Sequence, residues 1–169
     1  RAVLRESARF FHEYLDDSDG APARKFFERR GFSREIIERF QLGAAPASWD
    51  STMNHLLANG FTKEHVIDAG MVVEKDDGKV YDRFRGRAMF TIRDDAGRAV
   101  GFSARQLTDD KNSPKYINSP QTVVFDKSRI LYGLDLAKRA IMEHRTAYFV
   151  EGQPDVIASL EGRKAGTQR

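Results

Sequence analysis

From Lys79 onward the hydrophobic pattern of the chain changes period, and that change limits the folds open to it. Before this point apolar residues recur every three or four positions. After it, Val80, Phe84, Met89, Phe90 and Ile92 alternate loosely with polar residues, which is the period of a strand. The turn DDAGR, Asp94–Arg98, leads into AVGFSARQL, so the two runs read as a β-hairpin. Helices first and a hairpin in the middle point to a mixed α/β chain.

Strand parity adds detail. Arg83, Arg85 and Arg87 fall two apart, so on an extended segment they share a face. On the second strand Ala99, Gly101, Ser103 and Arg105 share a face, while Val100 and Phe102 point to the other, toward a core. Three small residues ending in arginine leave room for a bulky anion to approach the backbone. A glycine-weakened edge strand with solvated arginines gives the same pattern.

The first half is helical packing. Leu4, Ala8, Phe11 and Leu15 recur at helical spacing, and Gly20 and Pro22 end that element. A second helix carries Phe26 and Phe27 into Arg30, with Gly31 as its left-handed cap. GFSREII and GFTKEHV each place Phe, then Ser or Thr, then Ile37 or Val66 four residues later. This is an N-cap inside a hydrophobic staple, used twice. Between them Trp49 and Asp50 lead into a short helix through Met53, Leu56 and Leu57. Of this half only Arg30 suggests a role beyond packing.

The last third reads as α/β. Leu134, Ala137 and Ile141 mark a helix. TAYFV, Thr146–Val150, has the composition of a buried parallel strand. Glu151-Gly152 and Pro154 then turn into a helix through Val156, Ile157 and Leu160. A carboxylate at a strand's carboxyl end is where such folds place reactive groups, and also where a capping or solvent-facing glutamate sits.

Composition excludes several classes. No cysteine occurs among 169 residues, so a disulfide framework and a thiolate zinc site are excluded, and a reducing compartment fits. No apolar run approaches the ~18 residues that span a bilayer, and no signal peptide precedes the first helix. His12, His55, His65 and His144 lack metal-ligand spacing. The net charge of +3 is unevenly placed: residues 81–130 carry ten Lys/Arg against six Asp. A localised basic stripe suits a polyanion partner. Within it lies SPKYINSPQTVVFDKSRILYG, Ser113–Gly133, too broken for a helix. Pro114 and Pro120 bracket Lys115, Tyr116 and Asn118, and Lys127 and Arg129 follow.

Read together, RRGFSREIIERFQLGAAPASWD, DAGMV, VYDRFRGRAMFTIRDDAGRAVGFSARQL, PKYINSPQTVVFDKSRILYGLDLAK and VEGQPDVIA resemble the catalytic core of bacterial replicative primases of the DnaG type. The likeness runs from about Arg1 to Ala158. It implies a helical N-terminal part on a small, mostly antiparallel sheet, a basic template-binding subdomain over residues 1–144. The first strand–helix unit of a Toprim domain would occupy residues 145–169. Family roles fall at matching positions: Arg30, Arg105, Lys115 and Lys127 on template or nucleotide phosphates, with Tyr116 and Asn118 beside them. Arg83, Arg85 and Arg129 are weaker additions. The prolines are expected to keep Lys115, Tyr116 and Asn118 out of a regular ladder, so that they stand into a groove and meet phosphates and bases. Tyr116 could equally be a core residue.

Glu151 takes the catalytic, metal-binding place of the Toprim acidic site, which uses Mg²⁺ or Mn²⁺. Gln153-Pro154 departs from the aromatic or Met of many relatives, and no Asp-x-Asp pair follows Glu151. One carboxylate does not hold the two metals of in-line nucleotidyl transfer. The parent's zinc belongs to an N-terminal module absent from this cysteine-free chain. The parent is expected to be a cytoplasmic DNA-directed RNA polymerase, bacterial or phage-encoded. It would make RNA primers from ribonucleoside triphosphates on single-stranded DNA and meet the helicase through a C-terminal region. The chain, read as a fragment, would bind single strands weakly and make no primer, and Glu161–Arg169 would be mobile. The rivals are a stand-alone single-strand-binding module and, less favoured, another Toprim enzyme.

Overall fold

The computed structural model of the chain describes residues 1–165, the last four as backbone alone. Helix α1 (Ala2–Tyr14) buries Leu4, Ala8 and Phe11 on the expected stripe, with Leu15 just beyond its end. A 3-10 turn, Ser18–Gly20, leads into α2 (Ala21–Arg29), which tolerates Pro22 in its first turn. Phe26 and Phe27 are buried, and Gly31 closes the helix at φ +73°, the left-handed position that glycine fills at no steric cost.

The doubled capping signal is present in both places. α3 (Arg34–Phe40) starts at Ser33, whose Oγ accepts from the Ile36 amide at 3.3 Å, with Phe32 and Ile37 buried around it. Strand β1 (Gly43–Ala45) and helix α4 (Ser51–Ala58) follow, then α5 (Lys63–Asp68). There Thr62 Oγ1 accepts from the His65 amide (3.2 Å), and the Thr62 amide donates to His65 Nδ1 (3.4 Å). A histidine closes the capping box in place of the usual Glu or Gln.

Strands β2 (Val72–Glu74) and β3 (Val80–Asp82) form a small antiparallel pair. The main sheet adds β4 (Arg87–Arg93), β5 (Ala99–Gln106) and β6 (Tyr116–Asn118), in the order β1-β4-β5-β6 and antiparallel throughout. The expected hairpin is β4–β5, turning through Gly97 at φ +79°. Helices cover both faces of the sheet. Met89, Phe102 and Ala104 pack toward α1, where Phe11 meets Phe102 edge-on at 5.4 Å. Ala88 and Phe90 pack toward α2 and α3, where Phe27 meets Phe90 edge-on at 5.8 Å. Residues 87–92 are therefore buried on both faces.

A 3-10 turn at Lys127–Arg129 precedes α6 (Leu134–His144), and α7 (Gln153–Ala165) closes the described chain. Ile157 is fully buried in the cluster of Phe27, Ile36 and Phe40, and Ser33 Oγ donates to Glu161 Oε2 at 3.1 Å. The segment after residue 144 thus returns its helix to the N-terminal helices. The mobility expected of Glu161–Arg169 falls largely outside the described residues.

Two expectations are corrected. Thr146–Val150 forms no strand; Tyr148 and Phe149 are 82% and 78% exposed. An extended segment becomes a strand only against a ladder partner, and none of the described residues pairs with it. The second correction concerns the small-residue face. The register does put Gly101, Ser103 and Arg105 on one face, opposite Ile92, Phe90 and Ala88. It is not open, however: a Cβ on Gly101 would lie 3.1 Å from Ser119 Cβ and 3.3 Å from the Phe125 ring. Residues 119–125 cover it, and no bulky anion reaches that backbone.

Helix α1 lies close on β1 at Gly43, where an added Cβ would lie 2.5 Å from the Phe11 carbonyl oxygen. Gly43→Ala is expected to cost about 1–3 kcal/mol as α1 is pushed off β1. Urea denaturation measures this, and an unchanged midpoint would mean that α1 does not bear on β1.

Candidate nucleic-acid interface

The residues that carry the candidate site converge at the β5–β6 edge of the main sheet. Tyr116–Asn118, expected to stay out of any ladder, is strand β6, with Tyr116 opposite Arg105 and Asn118 opposite Ser103. The prolines flank it rather than interrupt it, so residues 116–118 keep the amides that a proline would remove from the ladder with β5. Lys115 extends the pairing by one bond, its carbonyl accepting from the Gln106 amide at 2.9 Å.

Pairing places Arg105 beside the Tyr116 ring, 5.5 Å from its centroid, and 5.8 Å from that of Phe26 on α2. Arg30 approaches the same Phe26 ring at 5.3 Å. Two sequence-distant arginines thus share one aromatic ring, an arrangement of cation–π type. Arg105 spends one donor on the Gln106 carbonyl (2.6 Å), and its buried Nε has no partner. Lys115 is exposed nearby, and among the described residues Arg30, Arg105 and Lys115 make no ion pair. Tyr116 is half-buried against the α2–α3 cluster, so its ring is a wall of the site as well as a candidate stacking surface.

Arg83, Arg85 and Arg87 do not share a face. Residues 83–86 bend, with Gly86 at φ +59°, so the two-residue parity is lost before β4 begins. Arg83 donates to the carbonyls of Gly70 (2.8 Å) and Val72 (3.4 Å) and is half-buried, which lowers its pKa. Arg87 is buried, with its fork on Ser113 Oγ (2.6 Å) and the Pro114 carbonyl (2.9 Å). It pins the entry to Lys115. Burial, then the nearby charges of Arg85 and Arg105, lower its pKa, and its partners are all neutral. An arginine stays charged under such pressure, so Arg87 holds its positive charge with no carboxylate paired to it among the described residues.

Arg85 turns outward instead. Its guanidinium lies 3.9 Å over Trp49 and 5.1 Å from the centroid of Tyr81, which Lys75 also approaches at 5.5 Å. Trp49 is 62% exposed. Sequence reasoning missed Trp49, Phe26 and Arg87 as parts of the site. Only Trp49 left a signal, as the single tryptophan, set in a small and polar stretch, ASWD. Lys127 and Arg129 sit elsewhere, on the 3-10 turn capped by Asp126, whose Oδ1 accepts from the Ser128 amide at 3.0 Å. Lys127 lines an open depression with Ser119 and Phe125, next to Gly101. From Arg105 to Gly101 is four residues of strand, about 13 Å, so Lys115 and Lys127 mark two separate points along β5.

Glu151 is exposed, and no three His, Cys, Asp or Glu side chains come together to hold a metal among the described residues. The described residues do not fit a divalent-metal centre on their own. His12 contacts the Leu42 carbonyl (2.6 Å), His55 contacts Glu6 (2.7 Å), and His65 caps α5.

A sheet covered by helices on both faces, with unpaired cations and rings at one edge, defines the class as a mixed α/β domain with a cationic, ring-lined face. The chain belongs to the family of the DNA primase catalytic core, N-terminal domain, whose sequence pattern matches residues 10–138. The DNA primase of Salmonella typhimurium is 44% identical over 149 residues, 88% of this chain and 25% of that protein. That of Halalkalibacterium halodurans is 44% identical over 160 residues, 94% and 26%. The RNA polymerase domain of Mycobacterium tuberculosis primase DnaG superposes with a TM-score of 0.87 at 39% identity, over 93% of this chain and 51% of that one. A DnaG primase catalytic domain bound to ssDNA superposes at 0.80 with 41% identity, over 93% and 50%. The chain thus spans about a quarter of the length of these curated relatives.

Arg87→Lys keeps the charge but loses the two-pronged grip on Ser113 and Pro114. It is expected to lower stability by about 1–3 kcal/mol in chemical denaturation. Arg30→Ala, at an exposed side chain, should stay within about 1 kcal/mol.

Proposed function

We propose that this chain is the template-binding part of a DNA primase, and that its β5–β6 edge holds the backbone of single-stranded DNA. One observation carries the reading: Arg30 and Arg105 gather around Phe26 and Tyr116, Lys115 stands exposed just before Tyr116, and none of the three cations makes an ion pair among the described residues. Unpaired cations offer phosphate contacts that release counterions, and rings offer stacking that tolerates any base. Lys127, about 13 Å along β5, gives the strand a second anchor, with Asn118 and Arg129 beside the path. Trp49 and Arg85 add a separate ring-and-cation contact. Arg83, committed to two carbonyls, supports the fold more than the ligand.

The family supports the wider reading. The whole protein would extend RNA primers from ribonucleoside triphosphates during DNA replication, with residues 1–144 as its template subdomain. Residues 145–169 would open its Toprim domain, and Glu151 would contribute one carboxylate to its acidic Mg²⁺ or Mn²⁺ site. Zinc and the helicase contact belong to other parts of that protein, and a cytoplasmic setting follows from bacterial replication. The chain by itself is proposed to bind template without polymerising.

Lys115→Ala and Lys127→Ala should each weaken binding to an oligothymidylate and flatten log K against log[salt] by about 0.7, the increment for one single-strand phosphate contact. Lys138, whose Nζ donates to the Asp95 carbonyl on the far side of the hairpin turn, is the control and should change little. Anisotropy titrations at several salt concentrations read both quantities. Unchanged affinity and slope in both variants would place the groove elsewhere, and metal-dependent primer synthesis by this chain alone would overturn its assignment as template-binding only.

A further inference from the structure

Asp82 is 1% exposed, and no Lys, Arg or His forms an ion pair with it among the described residues. Its carboxylate instead meets the start of α4: the amides of Thr52 and Met53 donate to Oδ2 and Oδ1 at 2.7 and 3.0 Å. Two amide donors and the positive end of a helix stabilise a buried carboxylate there, against the desolvation that raises its pKa.

The source of this cap is unusual for the chain. α3 and α5 are capped by their own Ser33 and Thr62, whereas the N-cap residue of α4, Asp50, makes no side-chain cap bond. Capping of α4 is delegated to a residue thirty positions away on β3. Asp82 makes two more contacts with its backbone. Its amide donates to the Trp49 carbonyl (2.7 Å), and its carbonyl accepts from Arg85 Nη1 (2.7 Å). Tyr81 is its chain neighbour. Trp49, Tyr81 and Arg85 come from two separate segments, and all three are tied to this one residue.

We infer that Asp82 is a positioning residue for single-strand binding, holding Trp49 and Tyr81 against Arg85 as one preassembled contact. The inference rests on the reading of Trp49 and Arg85 as a nucleic-acid contact. A ring and a guanidinium fixed before binding lose less freedom when a base stacks on them. Asp82 itself touches no ligand.

Trp49 is the sole tryptophan, so its emission reports on this contact alone. Asp82→Asn keeps the volume but replaces one acceptor by a donor that faces an amide. It is expected to melt cooperatively, to shift Trp49 emission to longer wavelength, and to bind an oligothymidylate about fivefold more weakly, as for the loss of one weak stack. Trp49→Ala should weaken binding comparably, and the double variant should bind no more weakly than Trp49→Ala, because both act through one contact. A cooperative Asp82→Asn protein with unchanged emission and affinity overturns the inference, as do losses that multiply in the double variant. If Asp82→Asn does not melt cooperatively, Asp82→Ser, which keeps one acceptor in less volume, takes its place in the same comparisons. Wild-type affinity in Trp49→Ala would instead overturn the Trp49–Arg85 contact itself. A weakened Trp49→Ala beside an unaffected Asp82 variant would overturn only the role of Asp82.

Discussion

Strand β4 is covered on both faces and paired on both edges, and the other layers depend on the hydrogen bonds it makes to β1 and β5. Met89 on one face and Ala88 and Phe90 on the other give the two helical layers a common wall. Aromatic contacts, Phe11 on Phe102 and Phe27 on Phe90, then orient the helices against it; each adds about 0.5–1.5 kcal/mol beyond the area it buries. Because α2 is held to this wall, Phe26 and Arg30 stand where Arg105 emerges from β5. The candidate site is a consequence of how the hairpin is packed.

Charge at the site is arranged differently from the exposed ion pairs of the surface. Several arginines elsewhere pair: Arg34 with Asp16 and Glu38, Arg9 with Glu6 and Glu13, Arg93 with Asp135. These pairs are mostly exposed and contribute little each. Around β5–β6 the opposite choice is made. Arg87 is buried on neutral acceptors, and Arg105 keeps an unpartnered Nε. Burying a cation without a counter-ion is costly, and the three neutral oxygens near Arg87 offset only part of that. On the proposed function a bound polyanion would supply the rest, so an arrangement that weakens the empty fold would favour the ligand.

The outer contact works by a different device. Arg85 over Trp49 is a surface pair whose geometry would fluctuate if each residue hung from its own loop. Asp82, on β3, ties both segments together, its carboxylate on the start of α4 and its backbone on Trp49 and Arg85, so placement comes from a buried residue rather than from the exposed rings. Rigid support beneath an exposed recognition group is what an otherwise loose ring-and-cation pair lacks.

Features set by near neighbours were legible from the residues alone. The stripe of Leu4, Ala8 and Phe11, the caps at Ser33 and Thr62, the left-handed Gly31 and the turn between β4 and β5 all depend on residues within a few positions, so spacing and residue type determined them. The family resemblance named Arg30, Arg105 and Lys115, and the fold brought them together. Tertiary structure alone decided the different fates of Arg83, Arg85 and Arg87, because a bend at Gly86 cancels a parity that holds only for unbroken strands. It made a strand of Tyr116–Asn118 and none of Thr146–Val150, because a ladder needs a partner, and β5 supplies one where the described residues offer Thr146–Val150 nothing. It filled the space over Gly101 with Ser119 and Phe125, and it joined Asp82 to a helix thirty residues away. Such contacts depend on which distant segments arrive at one place, and that is set by the packing of the whole core rather than by any local run of residues.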